Sequence, residues 1–235
     1  MSRVLADAVK NATVARNVAG IHAPPDVEET EIEILEPDQI ADVLGKLEGH
    51  NLFPIVATAL LTGLRRGELL GLQWGDVDLD AGALRVERSL EETRAGLRLK
   101  PPKTKRGRRN LKLPVEAIAV LRAHKLRQLE LRVELGQGKP DATAFVFCDV
   151  ELKPLKPHTI SRAWRRAVAA KGFPSVTFHA LRHTHASVLI RAGVDILTIS
   201  RRLGHSKAAI TLDVYGHLIE GADAAAAKAI EGVLK

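Results

Sequence analysis

Aromatic side chains are scarce: five Phe, two Trp and a single Tyr among 235 residues. Any core must therefore be filled by aliphatic side chains, and the one phenol, Tyr215, stands out. Cysteine is nearly absent as well, since Cys148 is alone, which excludes a disulfide framework within the chain. The longest apolar run, LFPIVATALL from Leu52, is interrupted by Pro54 and is far too short to span a bilayer. No basic amino terminus followed by a long apolar stretch marks a secretory signal. Together these absences lead us to expect a soluble protein of a reducing cytoplasm. Its length suits one good-sized core, or one core with a small appendage.

Charge of one sign is unevenly spread. The net +7 conceals an acidic beginning, with 4 Lys/Arg against 10 Asp/Glu in residues 1–50, and a basic remainder, with 31 against 18. A positive field of that size favours a polyanionic partner. Without an amphipathic basic helix or lipidation signal, the polyanion expected is nucleic acid rather than a membrane.

Residues 3–18 have helical spacing and give way to a stretch with Pro24, Pro25 and an acidic run, which reads as an extended linker. The main domain is expected to begin near residue 36, with Pro37 in the first turn of a helix. An apolar helix (51–62), a break at Gly63 and a second helical stretch through RRGELLGLQW follow. The pattern then changes: ALRVERSL, GLRLKPP and RNLKLP read as a small antiparallel sheet over 83–113. Helix is expected again at 115–135, a short strand at AFVFCD, and helix to the end, with Asp195 as an N-cap and Gly193 and Gly204 at helix C-termini. There is no internal repeat.

Four constellations carry chemistry. The run Arg98 to Lys112 holds eight basic residues in fifteen: Arg98, Lys100, Lys103, Lys105, Arg106, Arg108, Arg109 and Lys112. On a hairpin these charges can be held against a phosphate backbone. TFHALRHTHAS places His179 and Arg182 one helical turn apart, suited to a phosphate. A metal site at His179, His183 and His185 is the competing reading, but HALRH lacks the glutamate of the metalloprotease helix and Arg182 would repel a cation. TGLRRGELLGL places Arg65 and Glu68 at ion-pair spacing on a helix. Finally, VDILTISRRLGHSKAAITLDVY is helix, glycine turn, helix, which also fits a non-enzymatic helix-turn-helix DNA reader. That alternative would leave Arg65, His179 and Arg182 unassigned.

Taken in order, TGLRRGELLGLQW, PKTKRGRRNLKLP, HALRHTHAS and LGHSKAAITLDVYGH resemble the tyrosine recombinases of the phage-integrase type, from about residue 36 to 220. The resemblance implies a predominantly helical α+β catalytic fold with a small antiparallel three-stranded sheet. It implies Arg65, Lys103, His179, Arg182 and His205 around a scissile DNA phosphate, Glu68 as supporting acid and Tyr215 as nucleophile. Arg66 beside Arg65 and Lys105 beside Lys103 are neighbouring matches; the letters TGLR and KT favour the first of each pair. Lys100, Lys105, Arg106, Arg108 and Arg109 are expected to bind DNA. No cofactor and no metal are implied. The partner implied is double-stranded DNA, with a monomer in its absence and a tetramer on synapsed DNA. Residues 1–35 then read as the last helix of a preceding DNA-binding domain plus linker, 36–220 as the catalytic domain, and 221–235 as a carboxy-terminal helix docking on a neighbour.

Overall fold

The computed structural model describes residues 2–18, 33–102 and 107–216, in two units, Met1–Glu31 and Ile32–Lys235. The first contains helix α1, Ser2–Lys10, which stops well short of the expected 3–18. Ala12 takes a left-handed φ of 53°, and the amides of Ala12 and Thr13 turn back to the carbonyls of Val9 and Ala8. This is a Schellman ending with alanine where glycine is usual. Asn11, Thr13 and Val14 are weak helix formers and do not carry the helix past it.

The second unit opens with α2, Pro37–Leu47, whose first helical residue is the proline. The Glu36 amide donates to Gln39 Oε1 at 2.9 Å, so the helix start is closed by its own side chain. Helix α3, Phe53–Thr62, is buried on nearly every side. Its two polar residues, Thr58 and Thr62, donate their hydroxyls to the carbonyls of Pro54 (2.7 Å) and Thr58 (2.5 Å) and so enter the core satisfied. Gly63 ends the helix at φ 66°. A Cβ there would lie 2.5 Å from His185 Cδ2, so both backbone and space require glycine.

Helix α4, Arg66–Leu70, and a tight 3-10 turn at Trp74–Asp76 lead into the strands. These are β1 (Val77–Asp78), β2 (Ala83–Val86), β3 (Ser89–Thr93), β4 (Gly96–Lys100) and β5 (Arg109–Lys112). They make the expected small antiparallel three-stranded sheet, in the order β1-β2-β5 with Leu84 opposite Leu111, but GLRLK does not join it: it forms a separate hairpin, β3-β4, with Ser89 opposite Lys100. ALRVERSL breaks at Glu87-Arg88, where Arg88 pairs with the buried carboxylate of Asp76. AFVFCD is also not a strand; its backbone makes isolated bridges, Gln73 to Phe145 and Cys148 to Pro154. On one side it pairs briefly with the backbone of residues 72–74, through Trp74 N to Ala144 O and Val146 N to Leu72 O (both 2.9 Å), while the carbonyls of Phe145 and Val146 bond to side chains, Gln128 Nε2 (3.0 Å) and His124 Nε2 (2.6 Å).

Helices α5 (Val115–Glu134), α6 (Pro157–Lys171), α7 (Ala180–Arg191), α8 (Ile196–Leu203) and α9 (Ala209–Tyr215) complete the unit. Asp195 caps α8 through the Thr198 amide at 2.9 Å, and Gly204 ends it at φ 69°, both as expected. The main core joins α2, α3, α4, the sheet, α5, α6 and the start of α7. A smaller cluster joins Ala186, Ile199 and Leu203 to Tyr215. Helix α7 therefore runs from the main core into the small one and carries the residues between them. The linker, Lys103, Lys105, Arg106 and the carboxy-terminal segment 221–235 lie outside the described residues.

Candidate active site

The C-termini of two helices meet at Arg182. Its guanidinium donates to Gly63 O at the end of α3 (2.8 Å) and to Leu203 O at the end of α8 (2.7 Å). Helix ends leave carbonyls without intrahelical donors and carry partial negative charge, so they hold a buried cation without neutralising it. Arg182 is 3% exposed, and among the described residues no carboxylate forms an ion pair with it. Burial, then the Arg65 charge, push its pKa down to about 9, which still leaves it protonated at neutral pH. A positive charge held mainly by dipoles is complementary to an anion.

Arg65 stands beside it. Its guanidinium donates to Gly204 O at 3.1 Å, the carbonyl next to the one that holds Arg182, and to Glu68 Oε1 at 2.9 Å. Its own amide donates to Glu68 Oε2 at 2.9 Å, so Glu68 anchors both backbone and side chain. Arg66 turns the other way and donates to Ser161 on α6. The fold therefore places Arg65, and not Arg66, beside Arg182.

Glu68 is 4% exposed and holds a second partner, Arg109, through paired contacts of 3.1 and 2.9 Å. Burial opposes its ionisation, but the Arg109 hydrogen bonds and the charges of Arg109 and Arg65 outweigh it, so the carboxyl lies below its ordinary range. Arg109 is expected from sequence to face DNA; instead its side chain is 7% exposed and also donates through Nε to Arg202 O at 2.6 Å. It ties β5 to α4 and α8. Of the other described hairpin residues, Arg108 is exposed and 3.6 Å from Glu87, while Lys100 pairs with Glu91.

Tyr215, the last residue of α9, is 3% exposed in the small cluster. Its hydroxyl lies 2.7 Å from His183 Nδ1. Burial pushes the phenol up to about 12, and burial, with the charges of His179 and Arg182, pushes His183 down to about 4. Both are neutral at pH 7. His179, at the N-cap of α7, packs edge-to-face on His183 at 4.9 Å, and burial and then Arg182, Arg65 and Arg66 lower its pKa. His205 follows the Gly204 turn, with Nδ1 2.7 Å from Thr211 Oγ1; burial and then Arg182 hold it at about 4.

Arg65, Glu68, His179, Arg182, His205 and Tyr215 line one cavity of about 540 Å3, together with Lys100. A larger groove of about 1030 Å3 shares Arg65, Lys100 and His179 with it and adds Arg66, Arg162 and Arg165. Residue types 150 positions apart are thus gathered into one basic recess. His183 also lines the cavity, although the sequence singles it out only as a metal ligand; its spacing, one turn beyond His179, is the signal that places it there.

The three histidines of α7 do not converge on a point. His185 accepts from Arg202 Nε at 3.0 Å through Nε2, which leaves Nδ1 to donate to Leu60 O at 2.7 Å. His183 is directed at Tyr215. Helices α8 and α9 do form a helix-turn-helix, but α9 has seven residues and turns Thr211 and Tyr215 inward, so the side chains it commits face the cavity and core. Among the described residues no helix is long and apolar enough to cross a membrane.

A mainly helical domain that directs two guanidiniums, Arg182 held by backbone carbonyls and Arg65 paired with a carboxylate it shares with Arg109, together with several neutral imidazoles and one phenol, into a single recess is built to handle an anionic ester. The chain belongs to the phage integrase family, whose model matches residues 33–221. It is 32% identical over 221 residues to a XerC-like tyrosine recombinase of Caldanaerobacter subterraneus subsp. tengcongensis, covering 89% of this chain and 56% of that protein. It is 35% identical over 161 residues to the ICEBs1 integrase of Bacillus subtilis, covering 68% and 43%. The Tn1549 transposon integrase, solved in complex with transposon right end DNA, shares the fold, with a TM-score of 0.78 at 22% identity over 97% of this chain and 75% of that one. The chain spans about half the length of these curated relatives.

Proposed function

We propose that this chain supplies the catalytic part, residues 36–220, of a site-specific DNA recombinase that serves as the integrase of a phage or other mobile element. The single observation that carries the reading is the meeting of a lone buried phenol with the Arg65 and Arg182 guanidiniums at one cavity. In this reading Tyr215 Oη attacks a DNA phosphorus, the bond from phosphorus to the 5′ oxygen breaks, and a 3′-phosphotyrosine remains. Negative charge grows on the non-bridging oxygens, where Arg65 and Arg182 hold it and His205 donates a hydrogen bond. Lys103 delivers a proton to the departing 5′ oxygen, Glu68 orients Arg65, and His179 serves the nucleophile side. The phosphodiester's energy stays in the tyrosyl ester, so a new 5′ hydroxyl reverses the step and no nucleotide cofactor is needed. Lys100, Lys105, Arg106 and Arg108 contact the duplex backbone; Arg109 supports Glu68 instead. Assembly follows the same reading, with a monomer free of DNA, a tetramer on synapsed DNA, residues 1–35 closing a preceding DNA-binding domain and 221–235 docking on a neighbour.

A nicked suicide substrate carrying the recombination site tests this. The wild-type chain is expected to form a covalent protein–DNA adduct in EDTA, and Tyr215→Phe to bind the same DNA without one. An adduct that survives in Tyr215→Phe would refute the assignment. Binding with no adduct from either protein is the outcome a non-enzymatic DNA reader requires.

A further inference from the structure

The attacking phenol must lose a proton, and a group within hydrogen-bond distance of Oη is needed to receive it. We propose that His183, rather than His179, accepts the Tyr215 proton through Nδ1 as the bond from Oη to phosphorus forms, an assignment that rests on the recombinase reading of the site.

The geometry is specific. Nδ1 of His183 lies 2.7 Å from Oη, an ordinary O–H···N separation, and the two rings are tilted with centroids 5.7 Å apart. With the phenol as donor, Nδ1 is bare and the ring proton sits on Nε2. His179 packs edge-on against His183 with centroids 4.9 Å apart, and the phenol's described hydrogen bond is to His183 alone. The order along the recess is therefore His179, His183, Tyr215.

Electrostatics explain why the phenol keeps its proton until DNA arrives. Four groups face His183: His179 and Arg182 from α7, His205 from the turn after α8, and Tyr215 from α9, with Arg65 behind them. Burial, then His179 and Arg182, favour the neutral imidazole of His183, and burial favours the neutral phenol. A phosphodiester between Arg65 and Arg182 offsets the two cations, while bonding to phosphorus makes the phenolic proton acidic. Transfer is then coupled to attack. The balance closes: the bond from Oη to phosphorus forms, the bond from phosphorus to O5′ breaks, Nδ1 gains the phenolic proton, and the leaving oxygen takes one from the acid on its own side.

Tyr215 is the only tyrosine, so biosynthetic replacement of tyrosine by a fluorotyrosine of lower phenol pKa alters this residue alone. Single-turnover adduct formation on the suicide substrate is expected to fall about 100-fold in His183→Ala, in the usual range for loss of a general base. It should recover in part with added imidazole or with fluorotyrosine. His183→Gln keeps an acceptor for folding but cannot take the proton, and is expected to stay slow. A near-wild-type rate in His183→Gln, or rescue confined to His179→Ala, overturns the assignment. Absence of any adduct from the wild-type chain would refute the recombinase reading itself. The fluorine NMR titration of residue 215 in the free chain then decides separately: a His183→Gln spectrum and titration identical to wild type rejects His183 as the phenol's partner, and an altered one supports it.

Discussion

Replacing Arg109 by methionine removes one charge of a buried pair and keeps most of the apolar stem. Glu68 and Arg109 have side chains only 4% and 7% exposed, so the carboxylate left behind cannot recover its hydration. Breaking such a pair from one side costs about 3 to 5 kcal/mol. Glu68 keeps Arg65 as a partner at 2.9 Å, which places the expected loss near the lower bound, about 3 kcal/mol, or roughly 6 to 12 °C in Tm for a domain of this size. Adding Glu68→Gln removes the orphaned charge, so the double variant should lose less than the sum of the single losses by roughly 1 to 3 kcal/mol. The sign with pH follows from the depressed carboxyl of Glu68. Its stabilisation is present above the ordinary carboxyl pKa of 4.5 and is lost as pH falls through the lower folded value. In Arg109→Met burial raises that pKa, so the deficit should shrink as the pH is lowered and the carboxyl takes a proton. Urea unfolding of the four proteins at pH 7 and pH 4 measures all of this. The exposed Lys46–Asp42 pair, at 2.8 Å, is the control, with an expected effect of about 0.5 kcal/mol or less. A loss below about 1 kcal/mol in Arg109→Met, or strict additivity in the cycle, would refute the inward role of Arg109.

Arg182→Ala and Arg65→Ala should each slow single-turnover DNA cleavage by about 10² to 10³, as removal of one oxyanion donor does. Arg66→Ala, whose guanidinium serves Ser161, should change it much less, and equal effects at Arg65 and Arg66 would count against the clamp. His185 is buried with both ring nitrogens engaged, and burial and then Arg202 push its pKa down to about 4. Its contribution to stability is complete above the unfolded value near 6.5 and is lost towards pH 4, by roughly 3 kcal/mol at most. Denaturation at pH 7.5, 5.5 and 4.5 checks this, and a midpoint that rises on acidification would have the wrong sign.

Local signals were legible because they act over one turn of chain. Pro37 at a helix start, Asp195 as N-cap and Gly63 and Gly204 as left-handed stops are read from neighbouring residues alone, and the structure has each of them. The reactive residue types were legible too, since a phenol, two arginines and several histidines announce their chemistry. What holds them was not. Arg182 and Arg65 are anchored by the carbonyls of Gly63, Leu203 and Gly204, and every residue has a carbonyl, so no letter marks these. The break in ALRVERSL depends on Asp76 lying near Arg88 in space, and the 2.7 Å contact of His183 with Tyr215 closes 32 residues of chain.

Arg109 is different, because its placement could have been found. Treating Arg98 to Lys112 as a uniform charged face ignores that successive side chains on a strand point to opposite sides. Along RNLK the burial alternates, with Leu111 in the core and Asn110 and Lys112 exposed. A leucine followed by a leucine two residues later, in NLKL, marks the inner face, and counting back two from Leu111 reaches Arg109. A charge on the inner face must find a partner, and Glu68 was already identified as an acid beside Arg65. The same period assigns Arg108 to the outer side, where it is 62% exposed. Adjacent and identical letters thus have opposite roles: Arg108 is available to a phosphate backbone, while Arg109 fixes the acid that orients Arg65. The composition of a charged run therefore says that a polyanion can be met, and only its alternation says which of its charges are left to meet it.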